Sequence, residues 1–184
     1  MQTVLRVDLI GHGLTEAMRK TRFPVDEPLD VSAKLPDYQP LPDARVLTGP
    51  ERRTRETAMG LGLQSAPDQR LRDLDAGSWR GTAMGSLPQD QLFAWLTDPA
   101  FRGHKGESIT ELIDRTRFWL AEVASEAVDL IAVTHPAVIR AALVAVLDAP
   151  AASFWRIDVA PGSITRLHYR SSWTLRIGAD KGAE

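Results

Sequence analysis

Short apolar segments that alternate with helical stretches constrain the fold of this chain most. The segments Val4–Ile10, Ala44–Thr48 and Asp129–Thr134 are apolar and contain β-branched residues, which is typical of buried strands. The stretch Glu107–Val128 carries apolar residues at the 3.6-residue spacing of an amphipathic helix. Such alternation is typical of α/β proteins, so we predict a three-layer αβα sandwich with a mostly parallel central sheet.

The same patterns predict the remaining elements. Further helices are predicted at Leu14–Thr21, Glu51–Leu61, Pro88–Leu96 and Pro136–Leu147. Further strands are predicted at Trp155–Val159, Ser163–Tyr169 and Trp173–Ile177, ending in a hairpin. No linker or repeat divides the sequence, and we expect residues 1–184 to form a single domain.

Composition excludes several classes of function. The absence of cysteine rules out disulfides, thiolate metal sites and cysteine nucleophiles. The net charge of -2, from 22 basic and 24 acidic residues, provides no overall field that would attract nucleic acid or an anionic membrane. The start of the sequence lacks a signal-peptide pattern, and no apolar run reaches the roughly 18 residues that span a bilayer. We therefore expect a cytoplasmic protein with neither nucleic acid nor membrane as a partner.

Basic side chains follow three of the predicted strands directly. His12 follows the first strand, His135 follows the strand Asp129–Thr134, and Arg52 and Arg53 open the helix after the second strand. Ligands of open α/β sheets bind outside the carboxyl ends of the strands, so we expect these side chains to converge on one crevice. Backbone N–H groups at the helix N-termini there would favour an anion.

Two imidazoles with guanidinium groups indicate phosphoryl chemistry. A neutral imidazole can attack phosphorus, and cations can offset the charge of the transition state. A carboxylic acid must then protonate the leaving alkoxide, and the segment RLRDLDAGSWRG offers Asp73 and Asp75 for this role. No carboxylates have the spacing of metal ligands, so we predict no metal site.

Five segments carry a resemblance to a known family. They are GHGLT, TGPERRTRETA, LRDLDAGSWRG, GESITELIDR and VTHPAVIRAAL. Their order and spacing resemble those of the histidine phosphatase superfamily, the phosphoglycerate mutase-like proteins. The family pattern is roughly R-H-G-x-T, T-S-P-L-x-R-A-x-x-T-A, L-x-E-x-x-x-G-x-W-E-G, G-E-S and S-H-G-x-x-I-R. The resemblance extends from Val4 to about Tyr169 and implies a phosphoglycerate mutase-like fold.

The resemblance also implies roles for individual residues. His12 resembles the nucleophile that becomes phosphorylated, and Arg53 resembles the phosphate-binding arginine of the second motif. His135 matches the second histidine, and Asp73 takes the place of the proton donor, usually a glutamate in the family. The further candidates for binding phosphate or substrate are Gly13, Thr15, Arg22 and Arg52.

The sequence departs from the family pattern beside these residues. Gly11 stands where the family has its first arginine, Gly49 stands for a serine, and Pro136 stands for a glycine. Loss of one preorganised donor costs about 3–4 kcal/mol, or ~10²–10³ in rate. We hypothesise that a replacement guanidinium comes from Arg19, Arg22 or Arg52.

Two functions follow from the sequence. The first is a cofactor-independent phosphomonoester hydrolase that acts through phosphohistidine on a small phosphorylated metabolite. It resembles the broad-specificity and α-ribazole-phosphate-type phosphatases more than the mutases, because the chain is short and lacks an insertion that would enclose a bisphosphate. The alternative is a catalytically impaired, anion-binding or regulatory member of the same fold. The expected partner is a small-molecule phosphate ester. The sequence does not decide whether the chain forms a homodimer.

Overall fold

A six-stranded mixed sheet forms the centre of the computed structural model, which describes residues 4–178. The strands are β1 (Leu5–Gly11), β2 (Arg45–Thr48), β3 (Ala66–Pro67), β4 (Leu130–Thr134), β5 (Ile164–Tyr169) and β6 (Trp173–Arg176). Their order across the sheet is β3-β2-β4-β1-β5-β6. The pairs β3–β2, β2–β4 and β4–β1 are parallel, whereas β5 is antiparallel to both β1 and β6. The predicted mostly parallel sheet is thereby confirmed.

Within the described part of the chain, α-helices accompany the sheet. They are α1 (Glu16–Arg19), α2 (Arg52–Gly60), α3 (Gln89–Thr97), α4 (Ile109–Glu126) and α5 (Pro136–Val146). Ser108 begins α4 with a capping box, in which its side chain and that of Glu111 each accept the other residue's backbone N–H. A proline at the first position of α5 suits a helix start because the N–H it lacks would have no helical partner. None of the helices between residues 4 and 178 has the length and apolar character needed to cross a membrane.

The core has two layers, one on each face of the sheet. On β1, Leu9 packs into the larger cluster, which contains residues of α4 and α5. Its neighbour Ile10 points to the opposite face and packs with Ala58 of α2 and with Tyr38. Successive side chains of a strand point to opposite faces, and both sets are apolar here because helices or loops cover both faces. The predicted three-layer sandwich is confirmed.

The prediction of a strand at Trp155–Val159 is wrong. The structure has a 3₁₀ helix at Ala151–Arg156 that is followed by irregular chain. The ring of Trp155 packs against Trp95, with a centroid distance of 4.3 Å, and the carbonyl of Ile157 accepts a hydrogen bond from Arg140. The indole of Trp155 is thus packed, and the backbone carbonyl of Ile157 is hydrogen-bonded, without a strand in this segment. The two-residue β3 is too short for a sequence period to reveal.

The sheet brings three strand ends together at one edge. In the parallel region, Gly11 at the end of β1 pairs with Thr134 of β4, and Thr48 at the end of β2 pairs with Val133. The strands lie in the order β2-β4-β1, so the segments that follow them are neighbours in space. The convergence predicted from the sequence follows from this register.

Candidate active site

His12 occupies the turn directly after β1. Its backbone N–H donates to the carbonyl of Thr134 at 2.9 Å, and its side chain is 3% exposed. The ring atom Nδ1 lies 2.7 Å from the carbonyl oxygen of Gly13, so Nδ1 carries a proton and donates it there. The neighbouring N–H of Gly13 donates to the hydroxyl of Thr57 and fixes the turn to α2. The other ring atom, Nε2, therefore keeps its lone pair.

The surroundings of His12 keep its imidazole neutral. Burial lowers the pKa of His12 to about 3, and the positive charges of His135 and Arg53 act in the same direction. The ring is therefore uncharged at neutral pH. A neutral imidazole with an available Nε2 is the state required of a nitrogen nucleophile.

Arg53 brings a buried positive charge into the site from the first turn of α2. Its side chain is 2% exposed. One terminal nitrogen donates to the carbonyl of Val25 at 2.7 Å, and the other donates to Asp73 Oδ2 at 2.6 Å. Its Nε–H has no hydrogen-bond partner within residues 4–178. A buried polar group without a partner carries a desolvation cost, so an acceptor that reached this donor would remove that cost.

Asp73 lies between Arg53 and His135. Its Oδ2 atom is 3.3 Å from His135 Nδ1, and the rings of His135 and His12 are 5.2 Å apart between centroids. Burial alone would raise the pKa of the Asp73 carboxyl, but His135 and Arg53 hold it well below its usual range. His12, Arg53, Asp73 and His135, which the sequence placed in one site, thus come together in the structure.

Glu51 completes the cluster, and sequence reasoning missed it. Its Oε2 atom lies 2.8 Å from His135 Nε2, and its Oε1 atom accepts the backbone N–H of Asp73 at 2.9 Å. Burial opposes charge on His135, but Asp73 and Glu51 together raise the pKa of that imidazole. The available signal was a charged residue at a position where the family motif has leucine.

An open cavity of about 510 Å³ starts at these groups. His12, Arg53 and Asp73 line its polar end. The rest of the wall is largely apolar and includes Phe23, Leu74, Met84, Trp95 and Trp155. We call these five residues the aromatic end of the cavity.

Arg140 of α5 is a second residue that sequence reasoning missed, and it lines the same cavity. Its Nε donates to the carbonyl of Ile157 at 2.7 Å, and its guanidinium lies 5.6 Å from the ring centroid of Trp155. The arginine that closes the last family motif was the signal for it. Arg140 therefore presents a fixed positive charge beside the aromatic end.

The secondary candidates divide into two groups. Thr15 caps α1, is 1% exposed and lines the cavity, as does the exposed Arg22. The guanidinium of Arg52 instead pairs with Glu56, at 2.6 Å between Nε and Oε1, on the outer side of α2. The structure does not bring Arg52 to the cavity because successive residues of a helix point in different directions.

One of the three arginines that the sequence offered as a replacement guanidinium lies at the cavity, and two do not. Arg19 forms an ion pair with Asp30 at 2.9 Å, outside the cavity lining. Arg22 alone of the three candidates reaches that lining. Asp75, the alternative acid, accepts from Gly77 N–H and pairs with Arg80, so Asp73 is the carboxylate beside the imidazoles.

Comparison with curated proteins finds a relative of similar sequence. The protein named "Putative phosphoserine phosphatase 2" of Hydrogenobacter thermophilus is 26% identical over 132 residues. The match covers 67% of this chain and 65% of that protein, so the matched part is less than two thirds of the relative.

Solved structures share the fold over nearly the whole chain. The mycobacterial glucosyl-3-phosphoglycerate phosphatase with VO3 has a TM-score of 0.79 at 24% identity, covering 94% of this chain and 98% of that one. A mutant phosphoserine phosphatase from Entamoeba histolytica, in complex with phosphoserine, has a TM-score of 0.75 at 16% identity. There the match covers 93% of this chain and 94% of that one. The profile of the histidine phosphatase superfamily (branch 1) matches residues 9–176. The protein therefore belongs to the histidine phosphatase superfamily.

Proposed function

We propose that the protein is a phosphomonoester hydrolase that acts on a small phosphorylated metabolite through a phosphohistidine at His12. One observation carries the proposal. A neutral imidazole, held by its Nδ1–H on the Gly13 carbonyl, lines an open cavity together with Arg53 and with Asp73. This arrangement supplies a nucleophile, a cation and a carboxyl group within one site.

In the first step, His12 Nε2 attacks phosphorus, an N–P bond forms and the bond to the leaving oxygen breaks. Arg53 and the His135 imidazolium offset negative charge on the phosphoryl oxygens. The ester binds as its monoanion and gives its proton to Asp73, whose carboxyl group then passes it to the leaving alkoxide. A bound phosphoryl group favours this acid form because its negative charge opposes ionisation of Asp73.

In the second step, water attacks the phosphorus of phosphohistidine. Asp73, now a carboxylate, takes the proton from the water, and the N–P bond breaks to release inorganic phosphate. The neutral His12 is restored with its Nδ1–H still on Gly13. The same carboxyl group thus serves as acid and then as base.

The cavity favours a leaving group with an apolar face. Aromatic rings at the far end offer flat surfaces to a ring or hydrocarbon, and the guanidinium of Arg140 offers a positive charge beside them. The named activities of similar proteins concern phosphoserine and glucosyl-3-phosphoglycerate. The proposed substrate class therefore stays a small phosphorylated metabolite.

The test is phosphate release from a panel of aliphatic, sugar and aryl phosphomonoesters. We expect turnover by the wild-type protein and a loss of about 10³-fold or more in His12→Ala. His168→Ala is the matched control, because His168 lies on β5 away from the site and should retain activity. Equal release by His12→Ala would contradict the nucleophile role.

A second candidate function is anion binding without turnover, as in a regulatory member of the fold. Two observations favour it. The cations of the site already have carboxylate partners, since Asp73 pairs with Arg53 and Glu51 pairs with His135. Gly11, in addition, contributes no charge to the site. Saturable binding of orthovanadate with no hydrolysis across the panel would support this alternative. Hydrolysis that depends on His12 would exclude it.

A further inference from the structure

Two departures from the family motif meet at His135. In the segment TGPERR, Gly49 stands where the family has serine, and Glu51 stands where it has leucine. In the structure, both positions lie against the imidazole of His135, which is fully buried. The two changes therefore act on the same group.

The carboxylate of Glu51 holds two parts of the site at once. Its Oε2 atom is 2.8 Å from His135 Nε2, and its Oε1 atom accepts the backbone N–H of Asp73 at 2.9 Å. The side chain of Asp73 then lies 3.3 Å from the other ring nitrogen, Nδ1. Glu51 thus hydrogen-bonds Nε2, whereas Asp73 lies at ion-pair distance from Nδ1, which has no hydrogen-bond partner among residues 4–178.

Gly49 provides the space that this contact needs. A Cβ atom at position 49 would lie 2.9 Å from His135 Nε2, from Glu51 Oε2 and from the carbonyl oxygen of Leu71. The Leu71 carbonyl accepts a hydrogen bond from the hydroxyl of Thr134 at 2.9 Å, so it cannot move away without losing that hydrogen bond. A side chain at position 49 would therefore separate Glu51 from His135.

The charged and titratable groups around His135 come from three other segments of the chain. The carboxylates of Glu51, before α2, and of Asp73 contact the ring, while Arg53 of α2 and the neutral His12 lie on the cavity side. A carboxylate oxygen lies 2.8 Å from Nε2 and another lies 3.3 Å from Nδ1, so the doubly protonated ring is favoured because its positive charge then faces two negative charges. An imidazolium there supplies a positive charge in a site where Gly11 supplies none.

We propose that Glu51, given room by Gly49, is a positioning residue that keeps His135 doubly protonated through neutral pH and holds the Asp73 backbone in place. The benefit to catalysis rests on the proposed phosphatase activity. The protonation of His135 does not rest on it, and it can be measured in the protein without substrate.

The first experiment records long-range ¹H–¹⁵N spectra of the histidine rings between pH 5 and 9, with His135→Asn used to assign the signals. We expect both nitrogens of His135 to stay protonated at pH 7.5 in the wild-type protein. In Glu51→Gln, which keeps the size of the side chain and a possible hydrogen bond, the ring should lose a proton about one pH unit lower or more. Glu126→Gln, an exposed residue of α4, is the matched control and should not move the titration.

Two results would overturn the proposal. One is a wild-type His135 that is neutral at pH 7.5, and the other is an identical His135 titration in Glu51→Gln. If no variant hydrolyses any phosphomonoester but the titration moves as expected, the role of Glu51 stands and the phosphatase proposal fails.

A second comparison tests whether the contact between Glu51 and His135 depends on the space left by Gly49. Gly49→Ala should lower the titration midpoint of His135 much as Glu51→Gln does, and it should add little in the Glu51→Gln background, because the contact is already broken. Full additivity would show that the two residues act independently and would contradict the pairing. If Gly49→Ala does not fold, the Glu51→Gln titration decides by itself.

For an active enzyme, the pH profile gives a readout that a purely structural role would not move. In Glu51→Gln, the alkaline limb of kcat/KM should shift about one pH unit or more to lower pH. A uniform loss of activity at every pH, with no shift of the limb, would contradict a role through the charge of His135.

Discussion

The two ends of the cavity are built differently. At the polar end, His12 follows a strand, Arg53 opens a helix and Asp73 lies in irregular chain. Each of these side chains has a defined hydrogen-bond or ion-pair partner. The aromatic end comes from chain outside the sheet, including Phe23 in a loop and Trp95 on α3. A rigid strand edge suits chemistry that needs exact placement, whereas loops and short helices can vary without disturbing it. Under the proposed function, the polar end specifies the reaction and the aromatic end specifies the leaving group.

The largest expected effect comes from removing the buried cation of the polar end. Arg53→Ala leaves the carboxylate of Asp73 buried with one partner fewer, and it should lower the free energy of unfolding by ~3–5 kcal/mol. Chemical denaturation would measure this loss. The neighbouring Arg52→Ala is the control, since its pair with Glu56 is exposed and contributes ~0–1 kcal/mol. Equal losses in the two variants would contradict the difference in burial.

Returning an arginine to the first motif would sharpen the contrast between the ends. A Cβ atom at Gly11 would meet the carbonyl of Ala160 at 3.4 Å, an ordinary contact, so a side chain can begin there. Because a charged hydrogen bond contributes ~1.5–3 kcal/mol, Gly11→Arg should tighten orthovanadate binding by about 10–100-fold. Binding by titration calorimetry, with Gly11→Ala as the control, would measure it. Unchanged affinity would show that position 11 does not face the anion.

A change of pH should act on the polar end through His12. The pKa of His12 is lowered to about 3 in the folded protein, whereas it is near 6.5 in the unfolded chain. Below about pH 6.5, the unfolded chain therefore binds a proton at His12 that the folded protein does not bind. Stability should therefore fall as the pH drops from 6.5 toward 3, by at most about 1.4 kcal/mol per pH unit from this group. Denaturation of His12→Gln between about pH 7 and 4.5 should show a shallower decline than the wild-type protein. A decline in His12→Gln that runs parallel to that of the wild-type protein would contradict the buried neutral imidazole.

The smallest expected effect lies at the aromatic end. Trp155 packs at an angle against Trp95 and lies beside Arg140, and aromatic pairs contribute ~0.5–1.5 kcal/mol beyond the area they bury. Trp155→Ala should reduce the preference for aryl over small aliphatic phosphomonoesters by up to about 10-fold. Ratios of kcat/KM across the substrate panel would measure this, with Trp173→Ala on β6 as the control. An equal loss for both substrate classes would show that Trp155 supports the fold and not the choice of leaving group.

The sequence by itself determined most of the elements and the main candidates at the polar end. The periodicities of β1, β4 and α4 reflect burial on defined faces, and such patterns are local. His12 and His135 could be placed together because both follow parallel strands, whose carboxyl ends share one edge. The motif resemblance then singled out Arg53 over the adjacent Arg52, and Asp73 over Asp75.

Only the tertiary structure decided which groups touch. Glu51 and His135 are 84 residues apart in sequence, and their contact depends on the space left by Gly49. Trp155 has a strand-like sequence, but its ring packs against α3 and not in the sheet. Local patterns describe which face of an element is apolar, whereas contacts between distant segments depend on how those elements pack. For that reason the partners of His135 and the wall of the cavity emerge only from the folded chain.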